Sequence, residues 1–162
     1  MISKKMQDAI NEQINKEMYS SYLYLSMAAQ AEDWNLKGFA NWLEKQADEE
    51  SEHAEKLYEH LVDRSGRVLL KAIDGPPTEW KSPLAMFEEV YAHEQKVTAM
   101  IHNLVALSRS ENDYASEVML HWFVSEQVEE EANSSEIVER LKRIKDSSNG
   151  LMMLDRSLGE RE

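Results

Sequence analysis

The chain has no cysteine, which excludes a disulfide framework, a thiolate metal site and an iron–sulfur cluster. Any metal it holds must therefore sit on oxygen and nitrogen ligands. Glycine and proline are scarce, with five and three in 162 residues, so the chain has few places to turn. Basic residues are outnumbered 31 to 18 by acidic ones, for a formal charge of −13. That balance excludes nucleic acid, whose phosphates need a Lys/Arg face, and leaves cations as favoured partners. Long apolar runs are also missing. No stretch reaches the ~18 apolar residues of a membrane span, and residues 1–30 hold no basic segment followed by an uninterrupted apolar run. A soluble, cytoplasmic protein with no membrane partner is expected, and the lack of thiols fits a reducing compartment.

What is present favours helix: Glu, Ala, Leu, Lys and Met abound and β-branched runs are few. The expectation is one all-α domain over residues 1–162, large enough to bury roughly two-thirds of its unfolded surface. Sparse turn signals divide it into helices at about 5–33 and 35–64, a crossover at 65–82, helices at about 83–110 and 113–145, and a short fifth helix at about 150–159. Asn35 suits the cap of the second helix, Pro83 the first turn of the third, and Asp113 the cap of the fourth. Short links make the first and second helices, and the third and fourth, antiparallel neighbours. A 30-residue helix is about 45 Å long, and 18 residues can extend to roughly 60 Å. The crossover can thus span the whole bundle, giving two antiparallel hairpins with the second and third helices parallel.

Each helix carries an apolar row with 4,3 spacing, and each row is interrupted by groups that bind metals. The first has Ile10, Ile14, Glu17, Ser21, Tyr24, Ala28 and Ala31; the second Leu36, Phe39, Leu43, Gln46, Glu50, His53 and Leu57. The third has Leu84, Phe87, Val90, Glu94, Val97, Ile101 and Leu104; the fourth Leu120, Phe123, Gln127, Glu130, Ser134, Ile137, Leu141 and Ile144. Glu17 precedes Glu50 by 33 residues and Glu94 precedes Gln127 by the same 33, so the hairpins repeat one constellation at a 77-residue offset. Antiparallel pairing brings each pair level. Buried carboxylates without partners cost several kcal/mol each and repel one another, so something positive must sit among them. Glu17, Glu50, Glu94 and Glu130 with the neutral nitrogen of His53 form an oxygen-rich set suited to two divalent cations, and iron fits best. Di-iron carboxylate bundles use a Glu from each of two helices and Glu-x-x-His from each of the other two. Glu50-x-x-His53 matches that pattern; Gln127-x-x-Glu130 departs from it.

These residues, together with Asn11-Glu12-Gln13, Tyr19-Ser20-Ser21, Glu49-Glu50, His93-Glu94-Gln95 and Trp122-Phe123-Val124-Ser125-Glu126-Gln127 followed by Glu129-Glu130, closely resemble the non-haem bacterial ferritins. The likeness runs from the first helix to the short last one. It implies a ferritin-like four-helix bundle with a short fifth helix, acting as a ferroxidase on Fe(II) with O2 or peroxide. By this resemblance Glu17, Glu50 and His53 hold one iron, and Glu50 bridges to a second held by Glu94 and Glu130. Gln127 hydrogen-bonds near the pair, and its amide, in place of a charged ligand, leaves the second iron less tightly held. Glu49, Glu126, Glu129 and Glu130 stand at a third iron position, and Tyr24 at a one-electron donor. The resemblance also implies a homo-oligomeric shell of twenty-four chains that stores the Fe(III) as a mineral, with Glu117 near a three-fold channel. Bacterioferritins place a haem-ligating methionine where this chain has Ser51 and a second Glu-x-x-His where it has Glu130, so haem is not expected. The residues themselves leave two rivals: a soluble di-iron oxidase or peroxidase with an organic substrate, and a metal-free helical binding module.

Other features read more plainly. Glu131 belongs to a solvated acidic face and Trp122 to the core. His60, His93, His102 and His121 lack partners at ligand spacing and read as surface or interface histidines. Met18, Tyr22, Leu25 and Ala29 form a second apolar row on the first helix, more than one bundle needs, which suggests a subunit interface.

Overall fold

The computed structural model describes residues 1–162. Five helices follow in order: α1 (Lys4–Asp33), α2 (Lys37–Asp63), α3 (Pro83–Ser110), α4 (Tyr114–Ile144) and α5 (Ser148–Leu158). The fold is all-α and ferritin-like. Ser3, Ser82, Asp113 and Ser147 accept from backbone N–H groups of the first turns of α1, α3, α4 and α5, and Pro83 opens α3 where its missing N–H costs nothing. Asn35 does not cap α2. It adopts φ 58°, a left-handed turn conformation that Asn tolerates, and Leu36 takes the cap position without a side-chain bond.

The missing cap is supplied from far away in sequence. Asp155 on α5 accepts from the N–H groups of Gly38 and Phe39 at 2.9 and 3.0 Å, placing a carboxylate at the positive end of α2. Glycine at 38 permits this approach, since a Cβ there would lie 1.6 Å from the Asp155 carbonyl oxygen.

The crossover lies along α1 in the same direction as that helix. Gln7 accepts from the Arg67 N–H; Asn11 donates to the Arg67 carbonyl and accepts from the Leu69 N–H; Asn15 donates to Ala72 and Ser26 to Pro77. These side chains, stepped along one face, satisfy backbone groups that have no partners of their own in the crossover. The chain thus arrives at the far end of α1, and α3 returns parallel to α2. Of the rows read from the sequence, only Ser21, Leu36, Leu84 and Ile144 are less than fully buried. The apolar core falls into two blocks. One centres on Tyr24, Phe39, Leu43, Phe87 and Ile137, the other on Ile10, Ile14, Leu57, Ile101 and Phe123. The polar row residues lie between them.

Gly38→Ala should dislodge α5 and remove the cap of α2, costing about 1–2 kcal/mol. Limited proteolysis between α4 and α5 and the thermal midpoint measure it; a variant cut and melting like the parent would mean that α5 does not seat there in solution.

Candidate metal centre

Four glutamates and one histidine from all four long helices converge between the two apolar blocks. Glu17, Glu50, Glu94, His53 and Glu130 are 1, 1, 1, 4 and 6% exposed, which rules out a solvated helix edge for any of them. Half of their carboxylate oxygens accept hydrogen bonds. Gln13 donates to Glu17 Oε1 at 2.8 Å, one helical turn away on α1. Tyr24 donates its hydroxyl to Glu94 Oε1, and Gln127 donates to Glu94 Oε2 at 3.1 Å. Gln46 donates to Glu130 Oε2 at 2.8 Å, joining α2 to α4. Among the oxygens wholly shut off from water, two accept no hydrogen bond: Oε2 of Glu17 and Oε2 of Glu50. His53 Nδ1 lies 3.5 Å from Glu50 Oε2, too far to satisfy it. The His53 ring is fixed edge-on against Trp122 and Phe123, with centroids 5.3 and 5.7 Å away.

Burial pushes Glu17 well above the ordinary carboxylate range, and the neighbouring Glu50 adds to the effect. Glu50 is raised by burial and then by Glu94 and Glu130. Burial raises Glu94 too, against the opposing hydrogen bonds from Tyr24 and Gln127. Glu130 is pushed up to about 8 by burial and by Glu94. The Tyr24 phenol is raised well above its usual value by burial and Glu94, so it stays protonated and donates. Without a cation the shifts favour the protonated carboxyls, and a divalent ion would displace those protons. The donor set fits hard cations. One ligand atom from each of Glu17, Glu50 and His53 lie within 4.8 Å of one another, and a second such group joins His53, Glu126 and Glu130.

The structure also separates residues that the sequence grouped. Glu126 is half-buried and shifted upward by desolvation, with Glu129 and Glu49 as repulsive neighbours. Glu129 is exposed. Glu49 is half-buried and ion-paired with Arg161 at 2.5 Å. Trp122 is not core: it is 39% exposed, with Lys56 Nζ 4.4 Å from its ring centroid. His93 is not a surface residue either. Its Nε2 lies 2.8 Å from Ser20 Oγ, its ring packs edge-on against Tyr24, and burial holds its pKa at about 4. Gln13 was within reach of sequence reading, since it stands four residues before Glu17; Arg161, more than a hundred residues from Glu49, left no local signal.

Residues 7–144 match the Ferritin-like domain family. This chain belongs to the ferritin family. A bacterial non-heme ferritin of Bacteroides fragilis is 44% identical over 99% of this chain and 100% of its own length. One from Staphylococcus saprophyticus is 42% identical over 99% of this chain and 96% of its own. Among solved structures, an open pore ferritin from the archaeon Archaeoglobus fulgidus superposes with a TM-score of 0.99 at 49% identity, covering 100% of both chains. Ferritin helices thus frame the polar layer, and the Glu/His group between them suits a metal.

The raised carboxyls give this ferritin a distinctive pH dependence. A carboxyl whose folded pKa exceeds its unfolded value contributes stability that is complete below the unfolded value and lost as pH rises through the folded one. For Glu130 the loss runs from the ordinary range, 4.5, up to about 8. Apo-protein should therefore melt lower at pH 8 than at pH 5.5, and Zn(II) should raise the midpoint more at pH 8. Calorimetry of both forms checks this; equal Zn(II) gains at the two pH values would contradict it.

Proposed function

We propose that this iron-storage ferritin chain carries a di-iron ferroxidase centre. The observation that carries the reading is the pair of partnerless buried oxygens, Glu17 Oε2 and Glu50 Oε2, in a layer of crowded carboxyls. Glu17, Glu50 and His53 take the first Fe(II); Glu50 bridges to a second held by Glu94 and Glu130. Glu49, Glu126 and Glu129, with Glu130, take a third. Gln127 and Tyr24 both donate to Glu94, so the second position has its carboxylate oriented before a cation arrives. Tyr24, next to the pair, is the one-electron donor when O2 is taken on to water, supplying a third electron while an Fe(II) at the third position supplies the fourth.

Each Fe(II) gives one electron, and O2 takes both electrons with two protons to become hydrogen peroxide. The carboxyls that lose protons on binding Fe(II) are a local source of those protons. Carboxylate oxygens favour the harder Fe(III), which drives the oxidation forward. An oxidase acting on an organic substrate would need an apolar pocket beside the metals. Cavities of about 420, 380 and 360 Å³ lie against α4 and α5, and one of about 260 Å³ between α1 and α3 has the charged Lys16, Glu89 and Lys96 among its lining and is divided from the carboxylates by His93 and Tyr24.

The family assembles as shells, and the outer apolar groups fit that use: Tyr22 and Leu25 on α1 and Leu69, Leu70 and Ile73 in the crossover are 39–64% exposed. We place the shell in the cytoplasm, at twenty-four chains. No helix is long and apolar enough to cross a membrane.

Glu50→Ala should slow Fe(II) oxidation in air by at least about 100-fold, the upper range for outer-layer changes at metal sites, while sedimentation still shows an intact shell. Near-ultraviolet absorbance of the ferric product follows the rate. An unaltered rate would remove the bridging role, and a particle smaller than twenty-four chains would correct the assembly.

A further inference from the structure

The segment behind α5 reaches back to the metal centre. Asn41 on α2 donates to the backbone carbonyls of Leu158 and Arg161 at 3.4 and 3.0 Å, which pins the end of the chain against α2. From there the Arg161 guanidinium stacks over Trp42, 4.7 Å from the ring centroid. Its Nη1 donates to the Trp42 carbonyl at 3.2 Å and to Gln46 Oε1 at 3.1 Å, and its Nη2 donates to Glu49 Oε2 at 2.5 Å. A guanidinium only donates, so it claims the carbonyl side of the Gln46 amide. The NH2 side is thereby left facing Glu130, where the 2.8 Å bond forms. One cation thus orders Glu130 through Gln46 and holds Glu49 directly.

Glu49 does not stand apart from the centre. Its charge raises both Glu130 and Glu126, so it lies on the same acidic edge. Arg161 takes Oε2 of Glu49, so a cation that settles there either shares this carboxylate with the guanidinium through Oε1 or displaces it from Oε2. Arginine is suited to the role: it stays charged at every working pH, and its planar fork is held by Trp42 on one face and three acceptors at its edge.

We propose that Arg161 is a tethered competitor for Glu49, a positioning residue through which the C-terminal tail sets how tightly the acidic edge takes a cation beyond the first two. This rests on the reading of Glu49 as a ligand. The ion pair is partly exposed, with side chains 21% and 43% accessible, so its worth is modest. An exposed pair contributes up to about 1 kcal/mol, so removing it should tighten the weakest cation-binding event by about two- to fivefold.

The test is calorimetric titration of the assembled apo-protein with Zn(II), which binds without redox chemistry, comparing R161Q, R161K, E49Q and R161Q/E49Q. The expected result is a tighter last event in R161Q, an intermediate one in R161K, which keeps the charge but loses the fork, and no effect of R161Q once E49Q is present. A chain ending at Glu160 should behave as R161Q, and serves in its place if R161Q fails to assemble. If E49Q weakens the last event but R161Q and the shortened chain leave it unchanged, or if the R161Q effect persists with E49Q, the competition is overturned and the ligand reading stands. If E49Q leaves the isotherm unchanged, both fall.

Discussion

Mutual repulsion among four buried carboxyl groups is the constraint around which this bundle is arranged. An apolar layer would be easier to pack at mid-height, yet Glu17, Glu50, Glu94 and Glu130 meet there, each pushed toward its protonated form. Only protons or cations relieve that arrangement. The neutral helpers, Gln13, Gln46, Gln127 and Tyr24, supply donors without adding charge. They hold the carboxylates in place and leave the repulsion for a cation to cancel.

The rest of the architecture serves to bring one residue set from each helix to the same height. A crossover anchored by Gln7, Asn11, Asn15 and Ser26 lets α3 start at the right end of the bundle. Asp155 and Arg161 grip α2 at two points, fixing the start of that helix and the face that carries Gln46 and Glu49. The short last helix is therefore tied both to the frame and to the edge of the metal centre.

The helix rows were legible in the sequence because 4,3 spacing survives tertiary packing, and an acid in an apolar row stands out. Glu17, Glu50, His53, Glu94 and Glu130 were legible for that reason, reinforced by the 33-residue repeat. Features that depend on distant segments were not. Asn35 has a side chain suited to capping, but the turn required a left-handed residue there and the cap came from Asp155. The burial of His93 follows from how α1 meets α3, and the exposure of Trp122 from its place on the outer side of His53, under Lys56 of α2; neither is encoded within a single helix. Arg161 belongs to the same class, as a terminal residue whose partners lie on α2.

The division of the core into two blocks has a chemical consequence. Ions are repelled from a hydrocarbon medium, whereas small neutral gases dissolve in it more readily than in water. A cation must therefore approach the carboxylates from the wet, acidic side near Glu126 and Glu129, while molecular oxygen has oily compartments on both flanks, around Leu43 and Phe87 and around Ile14 and Ile101. Under the proposed ferroxidase reading, the two reactants are sorted by solubility before they meet.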